Sequence, residues 1–172
     1  MKFKSIPVFG NTFYFCRIKE NTMKNIFIND FRDTDFKSMF QTYFTELGVS
    51  VRNWDRLFKA MNDENRNFAY LRYDEESNPI GFIQFTVITF SSGFFGTKMG
   101  FIREFWVNSN CRSNGHGSEL LQLAEEYFIK NAVHKAILTT NTAEKFYIKH
   151  GYTKDVTIKA KNNFDVFIKV LR

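Results

Sequence analysis

From Phe36 to Leu47 the apolar positions are Phe36, Met39, Phe40, Tyr43, Phe44 and Leu47, the i, i+3, i+4, i+7, i+8, i+11 spacing of one helical face. The Asp33-Thr34-Asp35 cluster ahead of it offers capping oxygens, and Gly48 stops it. A second helix, with Trp54, Leu57, Phe58 and Met61 on one face, is predicted from Asn53 to the polar turn at 62–65. Strands are predicted at Phe13–Ile18, Ile26–Phe31, Phe68–Tyr73 and Ile80–Phe90, the last two forming a hairpin through a turn at Asp74–Pro79. After a Gly-containing loop from Ser91 to Gly100, a strand at Phe101–Val107 leads into a helix from about Gly115 to Ala132. A short strand at Lys135–Thr140, a short helix at Thr142–Lys149 ended by Gly151, and a closing pair at Val156–Lys159 and Phe164–Val170 complete the pattern. The order from Ile26 is β, α, α, β, β, β, α, β, α, β, β, an α/β chain built on one mixed sheet. It shows no internal repeat or linker and is expected to be a single domain over 1–172, with an extra N-terminal arm at 1–25 and a core at 26–170.

Composition narrows the function classes. With 44% hydrophobic residues and 22 Phe the chain is able to bury a sizeable core filled with large rings. The net charge of +6 is scattered along the chain, whereas duplex binding calls for a concentrated basic patch, so no nucleic-acid partner is expected. Such a surface still suits a polyphosphate-bearing ligand. Cys16 and Cys111 lie far apart and outside any zinc-ligand spacing, and they read as reduced thiols with no metal role. Pro7, Gly10 and Asn11 break the N-terminal apolar stretch, and Ile80–Phe90 is too short to span a bilayer. A soluble, cytoplasmic protein without a membrane partner is expected.

The segment from Ile102 to Leu121 carries the chemistry. A strand ends, a glycine-bearing loop turns and an amphipathic helix begins, a junction whose unpaired N–H groups and positive dipole suit a phosphate. Three phosphate loops do not fit. Leu120 stands where a dinucleotide fingerprint needs its third glycine, no Gly-Lys-Ser/Thr triplet occurs, and a kinase's other motifs are missing. What remains is Arg112-x-x-Gly115-x-Gly117.

This pattern resembles the R/Q-x-x-G-x-G/A pyrophosphate loop of the GNAT acetyltransferases, which follows that family's fourth core strand and opens its third helix. Downstream, Ala143-Glu144-Lys145-Phe146-Tyr147 through Gly151-Tyr152 is similar to the family's second signature. Phe101 to Leu121 is also locally similar to spermidine/spermine-type small-amine acetyltransferases. The resemblance implies a GNAT fold, a mostly antiparallel sheet of six or seven strands with helices on both faces. It implies an enzyme transferring acetyl from acetyl-coenzyme A to a primary amine of a small molecule by direct attack in a ternary complex. Protein N-terminal or lysine acetylation, or a non-catalytic relative that binds acetyl-coenzyme A, are the alternatives. Family members often dimerise, which leaves a homodimer open for this chain.

By the same resemblance, the amides of Ser113, Asn114, Gly115, His116, Gly117 and Ser118 cradle the pyrophosphate, with Arg112 setting the loop and the His116 side chain facing solvent or phosphates. The pantetheine arm lies between two splayed parallel strands, against Phe105, Trp106 and Val107 on one side, and Thr140 or Asn141 contacts the cofactor. A bulge near Trp106 and Val107 supplies an N–H for the developing oxyanion. Tyr147 protonates the departing thiolate, and Glu104 is the base or positions a water. Since side chains alternate along a strand, either Arg103 or Glu104 is expected to point to the acceptor. The two early helices and the loop between Phe90 and Phe101 are expected to wall the acceptor site.

Overall fold

The structure, a computed structural model, describes residues 22–91 and 96–172 together with two short strands, β1 (Lys4–Ser5) and β2 (Phe15–Cys16), which pair antiparallel. The rest of the strand expected at Phe13–Ile18, and most of the arm, lies outside the described residues.

Seven strands form the central sheet: β3 (Lys24–Ile28), β4 (Asn67–Tyr73), β5 (Pro79–Ser91), β6 (Gly96–Val107), β7 (Lys135–Thr140), β8 (Thr153–Lys154) and β9 (Asp165–Val170). Their spatial order is β3-β4-β5-β6-β7-β9-β8, and all pairs are antiparallel except β6 with β7. The helices are α1 (Thr34–Glu46), α2 (Trp54–Asp63), α3 (His116–Lys130) and α4 (Glu144–Lys149). Asp33 caps α1 by accepting from the Phe36 N–H, Asn53 caps α2 by accepting from the Arg56 N–H, and Gly48 and Gly151 take the left-handed conformation after α1 and α4. This is the α/β arrangement of the GNAT fold.

Strand alternation divides the core into two. Ala69, Leu71, Phe82 and Trp106 turn to one face and pack against Phe36, Phe40 and Phe58 of α1 and α2. Ile83, Phe85, Ile102, Ala136 and Leu138 turn to the other and pack against Leu120, Leu121, Ala124 and Phe128 of α3 and against Tyr147 of α4. The α3 layer therefore crosses the boundary between β6 and β7.

Three expected elements are corrected. β6 begins at Gly96, so most of the segment read as a loop at Ser91–Gly100 continues the hairpin, with Phe90 opposite Thr97 and Val87 opposite Gly100. The first core strand ends at Ile28, and Phe31 is instead buried in the turn after it, its N–H donating to Asn62 Oδ1 at 2.8 Å. The strand expected at Val156–Lys159 is absent. Its place against β9 goes to Thr153–Lys154, because the Asp155 carboxylate accepts from the Thr157 N–H at 2.8 Å and turns the chain away, leaving Val156 80% exposed.

The crossing of α3 over β6 depends on Gly100, where an added Cβ meets the buried Phe128 ring at 2.6 Å. Gly100→Ala is expected to cost about 1–3 kcal/mol through overpacking, lowering the melting temperature by about 3–10 °C in a thermal unfolding scan.

Candidate active site

The parallel pairing of β6 with β7 covers only Gly100 with Ala136 and Phe101 with Ile137. Beyond it the strands part. The cause lies on the other edge of β6, where Gln84 stands opposite Glu104 and Phe85 opposite Ile102, so that Arg103 is an extra residue. A bulge of this kind bends its strand and increases the local twist. It sits at Arg103, not near Trp106 and Val107 as expected.

The bulge also answers which of Arg103 and Glu104 faces the α1–α2 layer: both do. Arg103 donates at 2.8 Å to Glu64 and to Asn67 Oδ1, and Glu104 accepts from the Tyr43 phenol of α1 at 2.9 Å. Burial raises the Glu104 carboxyl above its ordinary range, against the opposing effects of the Tyr43 hydrogen bond and the Arg103 charge.

Between the parted strands runs a cleft of 920 Å³, continuous with a second space of 420 Å³ over the loop before α3. Phe105, Trp106 and Val107 line both. The Asn108 N–H is spent on Ile80 O of β5 at 2.9 Å, so by alternation the Val107 and Phe105 N–H groups turn toward the gap. Tyr147, 6% exposed, lies at the floor of both spaces, and burial followed by the Glu104 charge pushes its phenol well above the ordinary range. It therefore keeps its proton at neutral pH.

The loop delivers α3 uncapped. Ser113 and Gly115 adopt positive φ of 67° and 84°, and no side chain caps the first turn that begins at His116. Ser113, Gly115, His116, Gly117 and Ser118 line the smaller space, while Asn114 is exposed beside them. The free N–H groups of this turn are a ready anion site. A Cβ added to Gly117 comes within 3.5 Å of Phe146 and 3.6 Å of Phe105, so anything larger than a methyl group fills the passage between loop and cleft.

Arg112 anchors the loop, donating from Nε to Val107 O and from Nη2 to Glu46, both at 2.8 Å. Glu46 also accepts from the Trp106 indole at 3.0 Å, so the last turn of α1 is tied to β6 through Tyr43 and Glu46 together. Thr140 Oγ1 accepts from the Thr142 and Ala143 N–H groups at 3.3 and 3.1 Å, which uses it to start α4, while Asn141 is exposed on the cleft rim.

His116 is placed differently from the expectation. Its Nδ1 accepts from Arg72 Nε at 3.0 Å, and burial and the Arg72 charge lower its pKa, so the side chain points under the helix as a neutral ring. Arg72, 2% exposed, also donates to Asn25 Oδ1 at 3.1 Å and pairs with Glu119 at 2.7 Å. It bolts the first turn of α3 to β3 and β4. His150 fixes that turn from the other side, bonding Ser118 Oγ at 2.9 Å and Phe146 O at 2.8 Å.

The cleft walls agree with the expectation only in part. Ser91 and Gly96, the strand ends flanking residues 92–95, lie roughly 30 Å along β6 from Phe105 at about 3.3 Å per residue, so these strand ends are remote from the cleft. Tyr43, Glu46 and Leu47 at the end of α1 form one wall, as expected of the first early helix, and the segment from Thr139 to Glu144 forms the other. Tyr43, Glu46, Arg72 and His150 were missed by sequence reasoning. The available signal was the polar tip of Tyr43, one turn before Glu46 on a face otherwise made of Phe, Met and Leu. Arg72→Met is expected to cost about 1–3 kcal/mol by removing the hydrogen bonds that the guanidinium makes to His116, Asn25 and Glu119, and faster hydrogen exchange in the 113–121 peptide than in wild type will localise the loss to the loop.

Among the described residues no helix is long and apolar enough to cross a membrane. No curated protein sequence is similar enough to match the chain. A predicted acetyltransferase of Clostridium acetobutylicum, solved with acetyl-CoA, superimposes with a TM-score of 0.66 at 16% identity, covering 81% of this chain and 95% of that one. The NatC complex bound to Gag peptide and CoA aligns with a TM-score of 0.64 at 17% identity, over 87% of this chain and 99% of that one. An aminoglycoside acetyltransferase from an uncultured soil metagenomic sample, in complex with sisomicin, gives 0.58 at 15% identity, over 76% and 86%. At these identities the likeness is one of fold. The model of the acetyltransferase (GNAT) family, however, matches residues 23–152, from the first core strand through the loop and α4. The chain thus belongs to the acetyltransferase (GNAT) family and is an enzyme of the acyltransferase class.

Proposed function

We propose that this enzyme transfers the acetyl group of acetyl-coenzyme A to a primary amine of a small molecule, by direct attack in a ternary complex on the domain formed by residues 26–170. The observation that carries the reading is the uncapped first turn of α3 opening onto a cleft between two strands whose facing edges are unpaired, with a buried tyrosine at its floor. An anionic head fits the turn, and an extended amide-bearing arm fits the unpaired edges.

Bound acetyl-coenzyme A supplies a thioester carbonyl as electrophile and a thiolate as leaving group. The Ser113–Ser118 amides hold the pyrophosphate on a loop that Arg112 sets through Val107 O and Glu46, and the Phe105 and Val107 N–H groups hold the arm and orient the carbonyl. Tyr147 keeps a phenolic proton beside the sulfur position, gives it up as the thiolate leaves and is restored by the proton that the attacking nitrogen sheds on becoming an amide. Glu104 is the ultimate proton acceptor for the amine, and its raised pKa makes it a stronger base than an exposed glutamate. Asn141 on the rim and the polar β7–α4 turn complete the cofactor side. A cytoplasmic location, where free thiols such as Cys111 stay reduced, goes with this reading. The local likeness of Phe101–Leu121 to spermidine/spermine-type enzymes makes polyamines the first acceptors to try.

Calorimetric titration with acetyl-coenzyme A is expected to give a Kd of about micromolar order, weakened at least ~100-fold in Gly117→Trp, with circular dichroism confirming that the variant is folded. No binding to the wild type removes the reading. Thiol release should then be followed with spermidine, an aminoglycoside and a peptide N-terminus, and turnover of the peptide alone transfers the assignment to protein acetylation. The carboxylate form of Glu104 is the active one, so kcat/KM falls as pH drops through an apparent pKa above the ordinary glutamate value. That acid limb is absent in Glu104→Gln.

A further inference from the structure

We propose that Tyr43 is the group that meets the acceptor amine, and that it relays the amine's proton to Glu104. The inference rests on the acetyl-transfer reading and adds to it a catalytic residue from α1.

Placement is the first argument. Tyr43 lines the 920 Å³ cleft together with Arg103 and Phe105, whereas Glu104 sits behind it and reaches the cleft through the 2.9 Å bond from the Tyr43 phenol. Tyr43 is thus the side chain that joins the cleft to Glu104. Packing and polar contacts fix the tyrosine in this position. Its ring lies edge-on against Phe82 at 5.9 Å and Phe44 at 5.5 Å, and Glu46 one turn later clamps the same end of α1 to Trp106 and Arg112.

The second argument concerns the end of the relay. Gln84 stands directly opposite Glu104 in the β5–β6 pair, and facing side chains in such a pair have Cβ atoms about 4.5–5.5 Å apart. It is fully buried, and among the described residues neither its amide oxygen nor its amide nitrogen has a hydrogen-bond partner. An unmatched buried amide is costly. Its oxygen gives the protonated Glu104 an acceptor that the carboxylate has no use for, so the relay's second state is provided for in the fold.

The step balances without a co-reactant. An N–H bond of the ammonium breaks and its proton goes to Tyr43 Oη as the Tyr43 O–H proton crosses to Glu104 Oε2. The amine keeps the electron pair as a free lone pair, Tyr43 is unchanged, and Glu104 becomes a carboxylic acid that returns its proton to solvent by the reverse route after product leaves. Tyr43 itself is at no stage a tyrosinate. That matters because burial and the Glu104 charge push the Tyr43 phenol far above its ordinary range. The charged and titratable groups around Glu104 are Tyr43 from α1, Arg103 beside it on β6 and Tyr147 from α4.

The test compares wild type, Tyr43→Phe, Glu104→Gln and the double variant, using the amine turned over fastest among those named above. Each single variant is expected to lose about 10²-fold in kcat/KM, with the Kd for acetyl-coenzyme A unchanged and the double variant no slower than Glu104→Gln. The proton inventory in mixed light and heavy water is expected to be curved in wild type, where two protons move, and linear in Tyr43→Phe. Infrared titration of the free protein supplies a readout independent of turnover. Loss of the Tyr43 hydrogen bond, which favours the carboxylate, moves the Glu104 midpoint upward in Tyr43→Phe. Wild-type rates and a linear inventory throughout, or a Tyr43→Phe variant as fast as wild type while Glu104→Gln is slow, overturn the relay and leave the acetyl-transfer reading standing. Absence of thiol release by the wild type with every amine overturns both.

Discussion

A single extra residue, Arg103, between two register pairs of the β5–β6 ladder governs the shape of the molecule at its working end. Pairing of β6 with β7 stops one residue before the bulged pair begins at Ile102. Without the bend, β6 and β7 would continue as an ordinary parallel pair, and neither the cleft nor the unpaired N–H groups of Phe105 and Val107 would exist. The same residue shifts the alternation, which sends Arg103 and Glu104 to one face and lets the latter reach α1. A local change in register thus produces both the space for a ligand and the polar group beside it.

Around that opening the polar residues have separate duties. Arg103 is bound to Glu64 and Asn67, which keeps its charge on the α2 side, and Arg112 is spent on Val107 O and Glu46. Neither cation is directed at Glu104 by a hydrogen bond, so burial prevails and the carboxyl stays above its ordinary range. On the opposite side of β6, buried Arg72 takes both an edge-strand amide and the first turn of α3 as partners. The loop before α3 is thereby supported from beneath, and no side chain caps the first turn it leads into.

Much of this was legible in the sequence because the signals are local. Asp33, Asn53 and Gly48 mark helix ends by short-range chemistry, the Phe36–Leu47 face repeats with helical period, and Arg112-x-x-Gly115-x-Gly117 sits within six consecutive residues. The bulge left no such mark, since Ile-Arg-Glu-Phe reads equally well as uninterrupted alternation and only the partner strand reveals the extra residue. Arg72 resembled a polar strand end because its partners are 44 and 47 residues away. Val156 and Ile158 alternate as a strand would, yet the place beside β9 had already been taken by Thr153 and Lys154. Pattern names an element's tendency, and competition for partners decides whether it forms.

The α3 layer has a mechanical meaning. Among the described residues only two register pairs join the β3–β6 half of the sheet to the β7–β9–β8 half, while the buried side chains of α3 touch strands from both. The helix is therefore a wedge under a nearly severed seam. The volumes of Leu120, Leu121, Ala124 and Phe128 set the angle at which the halves splay, and so the cleft width is controlled by residues that never touch its contents. Natural variation in that hidden layer is a route by which relatives of this fold could be tuned to wider or narrower occupants with the lining left intact.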